Sequence, residues 1–194
     1  MPHQLFNKII MITGAGSGIG RATSIKLSVL GTTLALADIN GPSLMKTASL
    51  CHMGNHSSEA VDVSSSTQCN DFIANTINKH GRIDHVFNCA GINPTSLSTA
   101  DITDEYWDKL MNTNLKGLFN ITRACIPHLQ SGASFVNVSS VLGLQAGPGY
   151  AVYCASKFGV IGFSKCMALE LGLKVSGRML LRPGILIRRQ MRVL

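Results

Sequence analysis

Four residues in the second half of the chain could handle a proton. Tyr153 and Lys157 are four apart in Tyr153-Cys154-Ala155-Ser156-Lys157. That spacing places the phenol and the ammonium on one face of a helix. A free phenol ionises near pH ~10 and is a poor base at neutral pH, but a cation beside it favours the phenolate. Ser140 stands upstream of Tyr153, just past an apolar run, where its hydroxyl could hold a carbonyl or alcohol oxygen. Asn114, in Asn112-Thr113-Asn114-Leu115-Lys116-Gly117, is a polar residue inside a long helical pattern, a position Asn does not favour. Each has an ordinary reading as well: helix surface for the Tyr-x-x-x-Lys pair, a self-satisfied turn for Ser140, solvent exposure for Asn114. Tyr150 has no comparable partner, because four residues on is Cys154.

A second cluster near the N-terminus could cradle a phosphate. Thr13-Gly14-Ala15-Gly16-Ser17-Gly18-Ile19-Gly20 follows a strand-like run and opens a helical one. Glycines let a backbone turn tightly and approach a pyrophosphate, and a helix N-terminus offers free N–H groups and the positive end of a dipole. The spacing is Gly-x-x-x-Gly-x-Gly through Gly14, Gly18 and Gly20, not Gly-x-Gly-x-x-Gly. Asp38 ends the next strand-like run after Gly20. A carboxylate there can accept from an adenosine ribose and repel a 2′-phosphate, which favours NAD and leaves NADP as the alternative. Ser17 in the loop and Ile39 beside the acid carry no positive charge; the nearest base, Arg21, lies within the helix. A plainer role for Asp38 is to cap the Asn40-Gly41-Pro42 turn.

The elements that must position these residues alternate. Strands are expected over Lys8–Thr13, Thr32–Asp38, Ser57–Asp62, Ile83–Cys89 and Ser134–Ser139. Helices are expected over Gly18–Leu30, Pro42–His52, Thr67–His80, Asp104–Leu129 and Tyr150–Leu171. Such alternation implies βαβ units, hence an α/β fold with a doubly wound parallel sheet between two helical layers. Continuous apolar runs such as Ile9-Ile10-Met11-Ile12 suit strands covered on both faces.

Together these residues resemble the short-chain dehydrogenase/reductase family over residues 5–173. Thr13–Gly20 resembles its cofactor loop. Asn88-Cys89-Ala90-Gly91 resembles its Asn-Asn-Ala-Gly element with Cys in second place, and Asp62-Val63 the pair lying against the adenine. Asn114, Ser140, Tyr153 and Lys157 match its catalytic tetrad in order and approximate spacing. The resemblance implies a Rossmann fold and an NAD(P)-dependent oxidoreductase interconverting a secondary alcohol and a ketone. Tyr153 would be the general acid/base. Lys157 would hold the nicotinamide ribose and, with the oxidised nicotinamide, supply positive charge beside the phenol. Ser140 would position the substrate oxygen, and Asn114 would support a water chain to Lys157. Cofactor contacts would come from Gly14, Ser17, Gly18, Ile19, Gly20, Asp38, Asp62, Val63, Asn88, Ala90, Gly91, Tyr153 and Lys157. It further implies a homodimer or homotetramer formed through the helices Asp104–Leu129 and Tyr150–Leu171.

Composition narrows the remaining classes. The chain has 194 residues, 45% hydrophobic and 14% charged, which suits one well-buried domain and no membrane span. The first strand begins so close to Met1 that no leader is expected, and six scattered cysteines without a Cys-x-x-Cys pair read as reduced thiols of a cytoplasmic protein. The formal charge of +7 is concentrated in residues 174–194, which hold six of the 17 Lys and Arg and no acid, so a nucleic-acid surface is not expected. A catalytic domain is therefore expected over residues 1–174, with an anomalous basic tail over 175–194 in place of the family's last strands. Ser176–Arg182 makes a poor buried strand, yet Pro183-Gly184 stands at the family's distance from Tyr153. A coding frame shifted by two bases after Lys174 would permit Ile-Arg-Ala-Asn-Val-Val-Ala-Pro-Gly, a family-like continuation. That tail sets out an alternative: an inactive truncated product, or a non-catalytic dinucleotide-binding protein.

Overall fold

Strand β1 (Ile9–Thr13) alternates its side chains between two cores. Ile10 and Ile12 enter one, with Leu34, Leu36, Leu44 and Phe87; Met11 enters the other, with Phe72, Ile73, Val86, Ile121 and Phe135. Strand β2 (Thr33–Asp38) does the same, with leucines on the first face and Ala35 and Ala37 on the second. Period-2 alternation of residues that are all apolar is the mark of a strand covered on both sides.

The computed structural model describes residues 4–174. Helix α1 (Gly18–Ser28) joins β1 to β2, and α2 (Gly41–Leu50) joins β2 to β3 (Ser57–Ala60). Helix α3 (Ser66–His80) leads to β4 (Ile83–Asn88). Next come α4 (Asp104–Met111), a π-helical turn (Asn112–Lys116), α5 (Gly117–Cys125) and a 3-10 turn (Ile126–His128). Strand β5 (Leu129–Asn137) and helix α6 (Ala151–Lys174) follow. All pairings are parallel, and the sheet order is β3-β2-β1-β4-β5. Helices α1 and α2 pack on the first core, while α3, α5 and α6 pack on the second. The fold is the expected doubly wound, three-layer α/β Rossmann fold. The expectations for residues 175–194 lie outside the described residues.

Capping chemistry sets several boundaries. Asn40 accepts from the Ser43 N–H at 2.9 Å and Pro42 sits in the first turn of α2. Ser65 caps α3, whose C-terminus closes on Gly81. Asp84 fastens the start of β1 to β4: its carboxylate accepts from Ile9 N at 2.8 Å and pairs with Lys8 and Arg82 at 3.3 and 3.0 Å. Burial alone would raise this carboxyl, but the Ile9 N–H and the two cations hold it below its ordinary value.

Two expectations need correction. The helix expected over Asp104–Leu129 is not continuous. It widens into the π-helical turn around Asn114, whose side chain bonds outside the helix, and it stops where Pro127 removes a backbone donor. Strand β5 begins at Leu129, earlier than the expected Ser134, because its first half carries the exposed Gln130, Ser131 and Gly132 and shows no apolar signal. The register shifts between Ile83 and His85 mark that irregular half.

Candidate active site

The residues singled out in the sequence lie at or beside the carboxyl edge of the parallel sheet, where open α/β sheets bind ligands. The strand order reverses direction between β1 and β4, so the loops after these two strands flank the crevice. They are packed together: Thr13 Oγ1 accepts from Cys89 N and Ala90 N at 3.2 and 3.3 Å. A Cβ on Gly14 would stand 2.7 Å from Ala90 N. Gly14 has φ +68° and Gly18 φ +50°, so the loop takes a path that L side chains resist.

This loop fits a dinucleotide phosphate. Ser17 is the N-cap of α1 but caps no N–H with its side chain. Gly18 and Ile19 stand in a first turn whose N–H groups have no helical carbonyl to meet. Among the described residues a Cβ on Gly18 would meet nothing within 4 Å, which leaves room for a ligand on that face. Asp38 Oδ2 accepts from Gly16 N at 2.8 Å and Oδ1 from Asn40 N at 2.9 Å, so it both clasps the loop and closes the turn to α2. Among the described residues no further donor is bonded to this carboxylate, which leaves lone pairs for hydroxyl donors. Beyond β3, Asp62 Oδ1 accepts from Ser64 N and Oγ at 2.9 and 2.7 Å. Val63 is buried against Gly117. The buried Asn120 donates to the carbonyls of Val63 and Ser64 at 2.9 and 3.3 Å, a support that carries no motif in the sequence.

Two of the four proton-handling candidates, Asn114 and Lys157, meet at the loop after β4, and Tyr153 stands beside Lys157. Lys157 is only 5% exposed, and its Nζ donates to Val138 O at 3.1 Å. That nitrogen is 5.7 Å from the centroid of the Tyr153 ring. A Cβ on Gly91 would stand 3.1 Å from Asn114 Oδ1 and 3.6 Å from Lys157 Nζ, which puts Gly91 between them. The Asn114 side chain accepts from Ile92 N at 2.8 Å and donates to Ile92 O at 3.2 Å. Its amide thus fixes the loop backbone, and this explains a buried Asn in a helical run. Ser140 follows β5 and accepts from Leu142 N at 3.2 Å. Three ties hold the end of β5 to α6: Asn137 Nδ2 to Ser164 Oγ at 2.9 Å, Ser139 Oγ to Lys157 O at 2.9 Å, and the Lys157–Val138 bond. Asn88 Nδ2 extends this chain by donating to Asn137 Oδ1 at 2.9 Å.

Burial pushes the Lys157 ammonium down to about 8, against a small upward pull from Cys89. A base whose folded value is depressed makes the fold carry the cost of its charged form at low pH. That cost is full below pH ~8 and vanishes as pH rises towards the unfolded value of ~10.4. Stability from this group should therefore rise between those limits, by about 3 kcal/mol in all. The thiols of Cys69, Cys89 and Cys125, all raised by desolvation, pull stability the other way above their ordinary range. The difference in urea midpoint between the wild type and Lys157→Met, followed from pH 7.5 to 10, isolates the lysine. It should shift in favour of the wild type with rising pH; a flat difference would show that the ammonium is not buried as described.

A family model described as short chain dehydrogenase matches residues 8–186. The 3-oxoacyl-(acyl-carrier-protein) reductase FabG of Thermotoga maritima is 40% identical over 173 residues, covering 87% of this chain and 70% of the relative. The short-chain dehydrogenase/reductase ABA4 of Pyricularia oryzae is 36% identical, covering 88% and 65%. Among solved structures, carveol dehydrogenase from Mycobacterium avium in complex with NAD superposes with a TM-score of 0.81 at 28% identity, covering 88% of this chain and 68% of that one. The chain thus spans about two thirds of the length of these relatives.

Proposed function

The chain belongs to the short chain dehydrogenase family, and on that premise we propose that it binds NAD in the crevice between the β1 and β4 loops and interconverts a secondary alcohol and a ketone. The observation that carries this reading is the pairing on α6: Tyr153 beside a buried Lys157 that is held to the end of β5, one strand-end away from Ser140. NAD held by the glycine loop, Asp38 and Lys157 would supply a hydride acceptor for the alcohol carbon and, reduced, a hydride donor for the carbonyl carbon. Tyr153 takes the alcohol proton as the hydride leaves, or gives one back in the reverse direction. Lys157 sets its positive charge beside the Tyr153 ring and reaches the ribose hydroxyls. Ser140 donates to the substrate oxygen and orients it. Asn114, locked to Ile92, keeps the floor of the site fixed. Asp38 accepts from the adenosine ribose and disfavours the 2′-phosphate of NADP. NAD in the NAD-bound carveol dehydrogenase supports the cofactor class.

The protein is read as cytoplasmic; among the described residues no helix is long and apolar enough to cross a membrane. A second copy is proposed to cover the apolar cleft between α4–α5 and α6, lined by Met111, Leu115, Phe119, Gly159 and Phe163. Phe119 and Phe163 meet edge to face there, and Phe119 and Phe158 remain more than a third exposed. Sedimentation of the purified chain should therefore read a dimer or tetramer, and a monomer at micromolar concentration would refute this.

The functional reading is tested by titrating the chain with NADH and scanning secondary alcohols and ketones for turnover. Binding with turnover supports it. Binding without turnover on any substrate favours the non-catalytic reading, and no binding overturns both.

A further inference from the structure

Helix α2 reaches the glycine loop through side chains that belong to no motif. Arg21, in the first turns of α1, donates from Nε to Thr47 Oγ1 at 2.9 Å. Its Nη2 donates to Ser43 Oγ at 2.8 Å, to Ser43 O at 3.2 Å and to Gly16 O. Ser43 Oγ passes its own hydrogen to Gly16 O at 2.7 Å, and the fully buried Thr47 passes its hydrogen to Ala15 O at 2.9 Å. Each hydroxyl thus accepts once from Arg21 and donates once to the loop. On the other side of the same residue, Gly16 N donates to Asp38. The carbonyls of Ala15 and Gly16 are therefore held on the α2 side, and one of them faces a guanidinium.

We propose that Arg21, Ser43 and Thr47 form a latch that sets dinucleotide affinity by holding the loop carbonyls away from the cofactor phosphates. The inference rests on the dinucleotide-binding reading given above. Carbonyl oxygens carry partial negative charge and repel a pyrophosphate, whereas the N–H groups at the start of α1 attract it. A loop free to rotate its Ala15–Gly16 carbonyls into the crevice would present the wrong pole. The guanidinium supplies the charge-assisted bond that prevents this, and its rigid fork is needed because it must meet Thr47, Ser43 and Gly16 at once. A lysine would offer the charge without the fork. These are positioning residues; none is placed against substrate.

The test measures the Kd for NADH by titration of the full chain, with thermal unfolding recorded on the same samples. Arg21→Met should weaken NADH binding about 10-fold or more, and Arg21→Lys should recover less than half of that loss on a logarithmic scale. Ser43→Ala, which removes one partner of Gly16 and no charge, should weaken it about 3-fold. The preference for NADH over NADPH should not change, because Asp38 is untouched. A merely structural role would lower the melting temperature and leave Kd alone at a temperature where every variant is folded. If Arg21→Met does not fold, Ser43→Ala and Arg21→Lys still decide the matter. Folded variants with the wild-type Kd overturn the latch alone, whereas a wild type that fails to bind NADH overturns the dinucleotide reading and the latch with it.

Discussion

Replacing Tyr153 with Phe should lower turnover by a factor on the order of 10³ while leaving NADH affinity within about twofold. The change removes one oxygen and keeps the ring that lies beside Lys157. Among the described residues nothing bonds to the Tyr153 hydroxyl, so its loss orphans no buried partner. The bond that Ser156 Oγ makes to residue 153 goes to the backbone carbonyl at 2.8 Å and survives the substitution. The fold should therefore melt within a degree or two of the wild type, and any lost rate reports chemistry. A proton must enter or leave the substrate oxygen as hydride moves, and without the hydroxyl only water can serve. Lys157 does not take over this role: it is buried, and its ammonium is already bonded to Val138 O. Near-normal turnover in this variant would end the assignment of Tyr153, and a large loss of NADH affinity would place the residue in binding instead.

The contrast between what the sequence discloses and what it hides follows the range of each interaction. The glycine loop, Asp38 and the Tyr-x-x-x-Lys pair are local patterns on regular elements, so their types and spacing suffice to find them. The alternating apolar runs of β1 and β2 disclose the sheet for the same reason. Arg21, Ser43 and Thr47 are invisible because their meeting needs α1 and α2 to pack side by side, bringing together residues far apart in the chain. Asn120 is hidden likewise, since its partners Val63 and Ser64 precede it by the whole of α3, β4 and α4. The π-helical turn is unreadable because periodicity averages over the single residue, Asn114, that bonds across to Ile92. Strand β5 loses its first half to Gln130, Ser131 and Gly132, where an exposed strand carries no apolar signature.

A Cβ added at Gly20 should harm both folding and cofactor binding, and the reason is a vise of backbone atoms. It would fall against Gly14 O, far inside contact distance, and stand 2.7 Å from Gly14 C. Neither atom belongs to a side chain that could rotate away. Gly14 could relieve the clash only by retreating, but the space behind it is filled: its own Cα carries a site 2.7 Å from Ala90 N, and Ala90 is tied to Thr13 at 3.3 Å. Gly20→Ala should therefore cost about 3 kcal/mol of stability and weaken NADH binding by roughly 100-fold or more at a temperature where the variant is still folded. Gly18→Ala separates the two effects. Its φ of +50° adds strain of about 1 kcal/mol, yet among the described residues its Cβ would meet nothing within 4 Å. The added methyl would project into the face proposed for the pyrophosphate, so this variant should keep most of its stability and still lose NADH affinity. Urea unfolding and NADH titration of both variants read the four values. If Gly18→Ala binds NADH like the wild type, the phosphate does not lie on that face of the loop, and the close packing at Gly20 serves the fold alone.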